Sequence, residues 1–193
     1  MNKLFDDIHA YFNLFHPISD EEFGYFLADH ELKKYKRNDI ITAEGQVQKN
    51  MMLITEGVQY SYYLHDGKKQ VIAFTYPINL SGLPESFITQ TPSRYFLEAL
   101  TDTTAIEISH ERVMKLFDMH QNLERLSRKM TEMILIGLIH RHYELLTQTM
   151  EERFLAFAQR SPHLFQLIPH KYIASYLGMD ATNFSKLYNS VKV

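Results

Sequence analysis

The chain of 193 residues contains no cysteine, and this absence excludes several kinds of site. Disulfides, zinc fingers and cysteine-ligated iron–sulfur clusters all need thiol side chains, and a chain without them suits the reducing cytoplasm. No apolar run approaches the roughly 18 residues that a membrane span requires. The first residues, MNKLFDDIHAYF, carry acids where a signal peptide would be apolar. We therefore expect a soluble, cytoplasmic protein with no membrane partner.

A large excess of either charge is also absent. The chain has 23 acidic and 20 basic residues and a net charge of -3, which argues against a protein coated all over in nucleic acid. The charges are unevenly placed, because from Ser161 onward three lysines face a single aspartate. A mildly basic end on an acidic body fits a local contact with DNA.

The segment from Pro169 to Val191 has the pattern of two short helices joined by a tight turn. Ile173 and Leu177 lie four residues apart on one helix face, and Gly178 can adopt the left-handed conformation that ends many helices. Asp180 can cap the following helix. The apolar residues of that second helix recur at helical spacing and are Phe184, Leu187, Tyr188 and Val191. The pattern predicts a helix-turn-helix, and an ordinary helical hairpin is the alternative.

Short strands fill the range 40–108, where apolar or alternating runs are separated by turn residues. Asp66-Gly67 is a favourable two-residue hairpin turn, and the regular spacing predicts an antiparallel β-roll. The irregular segment from Asn79 to Arg94 interrupts the strands. Because a long irregular connection in a compact β domain is often functional, we expect a ligand there.

Two amphipathic helical segments precede the roll, Asn2 to Phe15 and Ser19 to Asp29, and the second begins with a capping box formed by Ser19 and Glu22. A basic cluster then follows, consisting of Lys33, Lys34, Lys36 and Arg37. Such a cluster is either a solvated edge or a phosphate-binding patch.

After Ser109 the pattern becomes helical again, and the segment Met133 to Ile139 is apolar on every side. A helix of this kind must be buried on every side. One side can pack on the roll, and a second copy of the chain can cover the other, with Gly137 allowing close approach. We therefore expect a homodimer. A helix buried wholly within one chain is the alternative.

Taken together, these features resemble the Crp/Fnr family of bacterial transcription regulators. The resemblance rests on Glu44-Gly45 and Glu56-Gly57 at strand ends, on Gly82, and on the stretches EALTDTTAIEIS and IPHKYIASYLGMDATNFSKLY. It implies a roll that senses a small molecule, a central helix that dimerises and a helix-turn-helix that binds a palindromic operator. It also suggests RNA polymerase as a partner.

The predicted fold is thus α+β and covers the whole chain. Residues 1–110 form N-terminal helices and a cyclic-nucleotide-binding-like antiparallel β-roll that senses an effector. Residues 111–147 form the long central dimerisation helix, and residues 148–193 form the helix-turn-helix domain.

The effector segment departs from the family pattern. The residues that the resemblance places at the effector are Gly82, Leu83, Pro84, Ser93 and Arg94. Members that bind cyclic AMP carry glutamate where Leu83 stands and arginine where Ser93 stands, and Arg94 lies one residue late. Each lost charge-assisted hydrogen bond is worth about 1.5–3 kcal/mol. We therefore predict that the roll does not bind cyclic AMP and that it binds another molecule or none.

The DNA-contacting positions depart from the pattern as well. The candidate DNA-binding residues are Lys171, Thr182, Asn183, Ser185, Lys186 and Asn189. Family members that read a guanine-rich half-site place arginine, glutamate and arginine at positions occupied here by Ala181, Thr182 and Lys186, so a different sequence preference is expected. Five residues follow Tyr188, too few for the two-stranded wing of many members, which predicts weaker and less salt-dependent binding.

Other functions are less well supported by the sequence. His140 and Glu144 share a helix face at a spacing compatible with a metal, but a solvated or packed histidine is the simpler interpretation, and no metal or other cofactor is predicted. A cupin-type enzyme needs several histidines inside the barrel, whereas the range 40–108 contains only His65. The main alternative to a DNA-binding regulator is therefore a sensor or interaction module that does not bind DNA.

Overall fold

A computed structural model describes residues 3–28 and 30–190 of the chain. Asn2, Asp29 and Val191, which the sequence analysis assigned to helices, lie outside this range. The helices are α1 (Lys3–Asn13), α2 (Asp20–Leu27), α3 (Pro84–Thr89), α4 (His110–Met119), α5 (Gln121–Thr147), α6 (Met150–Arg160), α7 (Leu164–Leu167), α8 (His170–Tyr176) and α9 (Ala181–Ser190). The strands are β1 (Glu31–Tyr35), β2 (Ile40–Thr42), β3 (Asn50–Glu56), β4 (Gln59–His65), β5 (Lys68–Thr75), β6 (Asn79–Ser81), β7 (Phe96–Ala99) and β8 (Thr103–Ser109).

Two four-stranded antiparallel sheets form the β-roll. The first sheet has the strand order β1-β8-β3-β6, and the second has the order β2-β7-β4-β5. Apolar side chains fill the space between the sheets, among them Met52, Ile54, Leu83, Leu97 and Ala105. The predicted α+β fold with an antiparallel roll is confirmed.

The hairpin of β4 and β5 turns at the predicted dipeptide. Asp66 and Gly67 have φ values of 49° and 70°, which is the conformation of a type I′ turn. His65 pairs with Lys68 at the end of the ladder. An asparagine or aspartate followed by glycine tolerates this geometry at little cost, so the local sequence determines where the hairpin closes.

Helices α1, α2, α4 and the first half of α5 pack against the first sheet. Their shared core contains Phe12, Phe23, Leu53, Ile106, Val113 and Leu126. Helix α2 begins with the predicted capping box, in which Ser19 Oγ accepts from the Glu22 N–H at 3.2 Å and Glu22 Oε2 accepts from the Ser19 N–H at 2.8 Å.

Helix α5 is buried in its first half and exposed in its second. It has 27 residues, and at 1.5 Å per residue it is about 40 Å long. Leu123, Leu126 and Met130 are buried in the core, whereas the apolar side chains from Met133 onward are exposed on every side. In this half Arg141 and Glu144 contact the C-terminal helices, but the apolar side chains remain exposed among the described residues, so the alternative of a helix buried wholly within one chain does not hold.

The C-terminal helices α6 to α9 pack against the outer side of the second sheet. One continuous cluster joins the two, and it contains Tyr60, Tyr62 and Val71 from the roll with Phe154, Phe157, Ile173 and Phe184 from the helices. Helix α6 ends at Arg160, directly before Ser161 and Pro162. Among the described helices, none is long and apolar enough to cross a membrane.

Candidate functional site

The turn between α8 and α9 has the geometry that the sequence predicts. Gly178 has a φ of 64°, and the Met179 N–H donates back to the Ala174 carbonyl at 3.1 Å, which closes the end of α8 in the manner of a glycine C-cap. Met179 is buried in the angle between the helices. The pair α8 and α9 is therefore a helix-turn-helix with a rigid turn.

Asp180 caps the N-terminus of α9. Its Oδ1 atom accepts from the Asn183 N–H at 2.9 Å, and this backbone hydrogen bond is the main reason that the pKa of Asp180 lies below its ordinary value. The Asn183 side chain donates to the other carboxylate oxygen. Asn183, predicted to contact DNA, is thus half-buried and engaged in the cap.

The inner face of α9 is aromatic and holds the helix in place. Phe184 is fully buried, and its ring lies 5.5 Å from that of Phe154. Tyr188 contacts the His170 ring at 4.3 Å and the Phe165 ring at 5.7 Å, measured between centroids. Because these contacts link α9 to α6, α7 and α8, the orientation of its outer face follows from the packing of the whole C-terminal unit.

The outer face of α9 is polar and exposed. Thr182, Ser185, Lys186 and Asn189 all lie on it, and the Ser185 hydroxyl donates to the Ala181 carbonyl at 2.8 Å. Lys171, on α8, is exposed with its ammonium 4.9 Å from the centre of the Tyr172 ring. Amide, hydroxyl and ammonium groups of this kind can contact base edges and phosphates.

Helix α8 is also docked on the β-roll, which the sequence analysis did not predict. The Ser175 hydroxyl accepts from the Val71 N–H at 3.0 Å and donates to the Lys69 carbonyl at 3.1 Å. Both backbone groups belong to β5, the edge strand of the second sheet. An edge strand leaves such groups unpaired, and Ser175 satisfies them.

A buried carboxylate lies beneath this contact. Glu98 is 4% exposed and accepts from Tyr60 at 2.9 Å, from Tyr62 at 2.7 Å and from the Lys69 ammonium at 2.6 Å. The Tyr60 ring in turn lies 5.0 Å from the Tyr172 ring of α8. Burial is the main reason that the pKa of Tyr60 and of Tyr62 lies above the ordinary value, so both hydroxyls remain donors to Glu98.

Two arginines bind the free carbonyls at the end of α8. Arg141, from the central helix, donates to the Tyr176 carbonyl, and its guanidinium lies 3.5 Å from the centre of the Tyr176 ring. Arg153, from α6, donates to the Leu177 carbonyl at 2.9 Å. Cations at a helix C-terminus are favourable, and these two connect the helix-turn-helix to α5 and α6.

The predicted effector residues lie around the short helix α3. Gly82 and the 2%-exposed Leu83 precede it, and Pro84 is its first residue. Ser93 is buried, and its hydroxyl both donates to and accepts from the backbone of Tyr95, at 3.1 and 2.9 Å. Arg94 has a side chain that is 75% exposed and pairs with Glu85 at 2.9 Å.

A cleft in the roll lies beside this segment, but none of these five residues lines it. It has a volume of about 500 Å³. Its lining comes from β1, β2, β3, β8 and the β2–β3 loop, and consists of Lys33, Tyr35, Ile41, Thr42, Gln46, Val47, Gln48, Lys49, Asn50, Met52 and Glu107. No local sequence pattern indicates this cleft, although Lys33 belongs to the basic cluster of residues 33–37.

No group of three or more histidine, aspartate or glutamate side chains could hold a metal within residues 3–28 and 30–190. Glu144, considered above with His140, pairs instead with Arg160 at 3.5 Å.

Comparison with known proteins begins with a family model. Residues 32–120, which include seven strands of the roll together with α3 and α4, match the model described as "Cyclic nucleotide-binding domain". A comparison with curated proteins found no match.

Solved structures extend the similarity to nearly the whole chain. FixK2 from Bradyrhizobium japonicum aligns with a TM-score of 0.75 at 21% identity over 83% of both chains. A protein assigned to the Crp/Fnr family of transcriptional regulators, from Eubacterium rectale, aligns with a TM-score of 0.70 at 13% identity over 90% of this chain and 83% of its own. The c-di-GMP-responsive global regulator CLP from Xanthomonas campestris aligns with a TM-score of 0.66 at 16% identity, over 89% of this chain and 91% of its own. The resemblance to Crp/Fnr regulators is thus confirmed at the level of the fold.

Proposed function

We propose that this chain is a homodimeric, sequence-specific DNA-binding regulator of transcription of the Crp/Fnr type. The observation that carries the proposal is the outer face of α9, where Thr182, Ser185, Lys186 and Asn189 are exposed together on a helix whose inner face is fixed by aromatic packing. A helix presented in this way fits a DNA major groove, which is wide enough to admit it.

The second half of α5 supports dimerisation. Its exposed apolar side chains surround the helix and are Met133, Ile134, Leu135, Ile136, Leu138, Ile139, Tyr143, Leu145 and Leu146. A contiguous apolar surface of this extent is rare on monomeric proteins. A second copy of the same helix would cover it symmetrically, and a Cβ added at Gly137 would meet no described atom outside its own helix within 4 Å, which leaves room for a close approach.

A dimer is also the arrangement that suits a palindromic operator, since two symmetric recognition helices read two half-sites about 34 Å apart. Cytoplasmic location and contact with RNA polymerase are further parts of this proposal and rest on the resemblance to the Crp/Fnr family.

We propose in addition that cyclic AMP is not the effector. Leu83 occupies the position of the family's glutamate and is buried among the apolar side chains of the roll, where it offers no acceptor to a ribose hydroxyl. Ser93 has no charge for a phosphate, and Arg94 points to solvent and pairs with Glu85.

Selection from a randomised palindromic DNA library, followed by fluorescence-anisotropy titration, tests the DNA-binding proposal. We expect selective binding that Lys186→Ala weakens by about 1–3 kcal/mol, or roughly 5- to 150-fold. The matched control is Lys34→Ala, an exposed lysine on β1, which should leave the affinity unchanged. Cyclic AMP should have no effect on binding.

Two results would contradict the proposal in different ways. Selective binding that appears only with cyclic AMP would refute the interpretation of Leu83 and Ser93. Absence of selective binding at both low and physiological salt would favour a sensor or interaction module that does not bind DNA.

A further inference from the structure

The cleft of the roll has exposed polar side chains at its rim and buried side chains at its floor. Lys33, Gln46 and Lys49 are exposed at its rim, whereas Thr42, Gln48, Met52 and Glu107 are buried at its floor. Its volume of about 500 Å³ lies within the range of roughly 300–1,000 Å³ that is usual for small-molecule sites. The cleft can therefore hold a metabolite whose polar groups reach both layers.

Glu107 is the chemically distinctive group at the floor. It is 4% exposed, and its two oxygens accept from the Tyr35 hydroxyl and from Asn50 Nδ2, the latter at 2.7 Å. Each carboxylate oxygen has a second acceptor position, so both can accept another hydrogen bond.

The other buried carboxylate makes an informative contrast. Glu98 has the ammonium of Lys69 at 2.6 Å, whereas among the described residues Glu107 has neutral donors only. A buried carboxylate without a positive partner is unfavourable. A ligand that carries a cation would supply the missing charge.

The rim of the cleft carries positive charge, opposite to that of Glu107. The ammonium groups of Lys33 and Lys49 take part in no ion pair or hydrogen bond within the part of the chain that the structure describes. Lys33 faces the cleft, while its neighbour Lys34 on β1 is not among the lining residues, as expected from the alternation of side chains along a strand.

We propose that this cleft binds a small zwitterion of the amino-acid type, with its ammonium group on Glu107 and its carboxylate at Lys33 and Lys49. The buried acid at the floor and the lysines at the rim match the two charges of such a molecule in one orientation.

The cleft is connected to the segment around α3. The backbone N–H of Gln48, in the cleft floor, donates to the Ser86 hydroxyl of α3 at 3.0 Å, and its side chain accepts from Thr42 at 2.7 Å. A ligand that contacts Gln48 therefore acts on α3 as well. That such a ligand is the effector of DNA binding rests on the function proposed above.

Methionine methyl NMR on the full chain tests the site without DNA. Met52 lines the cleft, whereas Met51, its neighbour on β3, packs in the helical core on the other side of the sheet, so the two ¹³C-labelled methyl groups report on different sides. The probes are the twenty protein amino acids, added singly, with butyrate and butylamine as molecules that carry one charge each. We expect at least one amino acid to shift Met52 saturably, and the single-charge probes to bind far more weakly.

Matched variants identify the two charge contacts. Glu107→Gln keeps the shape of the side chain and should weaken binding about 10- to 100-fold, whereas Glu56→Gln, at the other end of β3, should not. Lys33→Gln should weaken binding as well, and Lys34→Gln should not. If Glu107→Gln fails to fold, the comparison of Lys33→Gln with Lys34→Gln still tests the proposal. Both lysines are exposed, so neither substitution disturbs the core.

Three results would overturn the proposal: no probe shifts Met52, butyrate or butylamine binds as tightly as the best amino acid, or folded Glu107→Gln binds like the wild type. Anisotropy with the selected operator then asks whether the bound amino acid changes DNA affinity. A chain that binds the amino acid but no DNA refutes the proposed function alone, and one that binds DNA but no amino acid refutes only this site.

Discussion

Gly178 is the residue on which the helix-turn-helix turn depends most directly. Its φ of 64° lies in the left-handed region, where a side chain costs roughly 1–2 kcal/mol. A Cβ at this position would also lie 3.2 Å from Leu145 Cδ2, which is closer than an ordinary contact. Backbone conformation and packing therefore both favour glycine.

We predict that Gly178→Ala destabilises the protein by about 1–2 kcal/mol in urea unfolding. The matched control is Gly24→Ala, because Gly24 lies inside α2 and an added Cβ would meet no described atom outside this helix within 4 Å. That change should stabilise the protein by roughly 0.5–1 kcal/mol. Equal effects of the two substitutions would contradict the role assigned to the turn.

Asp180 makes the cap of α9 sensitive to pH. Its folded-state pKa lies below the ordinary value of 3.8 because of the backbone hydrogen bond from Asn183. A depressed carboxylate pKa contributes stability above the unfolded-state value, and this contribution is lost as the pH falls through the folded-state value.

We therefore predict that acidification below about pH 4 loosens the α9 N-terminus. Amide hydrogen exchange at Asn183, measured on either side of this pH and corrected for the intrinsic rate, should show a loss of protection. Asp180→Asn keeps an N-cap but removes the titrating group, so its protection should depend less on pH. The same pH dependence in both proteins would assign the titration to another residue.

At the scale of secondary-structure elements, α8 joins three parts of the molecule. Its Ser175 pairs with β5, its C-terminal carbonyls bind Arg141 of α5 and Arg153 of α6, and its turn leads into α9. The position of the candidate recognition helix relative to the roll therefore depends on α8.

We predict that Ser175→Ala destabilises the protein by about 1–3 kcal/mol, because the Val71 N–H and the Lys69 carbonyl lose their partner in a half-buried contact. Hydrogen exchange at the Val71 amide should accelerate. Ser185→Ala removes a hydroxyl that only bonds back to its own exposed helix, and should change stability by no more than about 0.5 kcal/mol. An unchanged Val71 exchange rate in Ser175→Ala would show that the docking contact is absent in solution.

The prediction of elements succeeded where the sequence pattern is local. Strands β2, β3, β4, β5, β7 and β8, the Asp66-Gly67 turn and the Ser19 capping box lie where they were predicted from alternation, turn chemistry and capping spacing. Two strands were missed: β1 precedes the predicted range 40–108, and β6, together with α3, lies in the segment that was expected to be irregular. Docking of α8 was missed, because a serine and two tyrosines on a short helix have the same one-dimensional pattern whether they face solvent or another element.

At the scale of the whole molecule, the exposed half of α5 is the interface of the dimer proposed above. Its apolar side chains, such as Leu138 and Ile139 at 51% and 58% exposure, gain free energy only by burial against another chain. In the proposed dimer, folding and association are linked, and the apparent stability depends on protein concentration.

We predict that the wild-type chain elutes as a dimer in size-exclusion chromatography with light scattering, and that its melting temperature rises with concentration. Ile139→Lys should produce a monomer whose melting temperature does not change with concentration. Ile88→Lys, at an exposed apolar residue of α3, is the control and should remain dimeric. A wild-type monomer at high concentration would refute the dimer.

The sequence by itself determined most of the helices and strands, where the helix-turn-helix turns and which face of α9 is polar, because these properties follow from residues within a few positions of one another. It also indicated that the apolar second half of α5 needs a partner. Only the tertiary structure placed Ser175 on β5, Glu98 beside Lys69 and Glu107 at the floor of the cleft. These contacts join residues far apart in the chain, and the burial that gives a glutamate or serine its role is a property of the assembled layers and has no local pattern in the sequence.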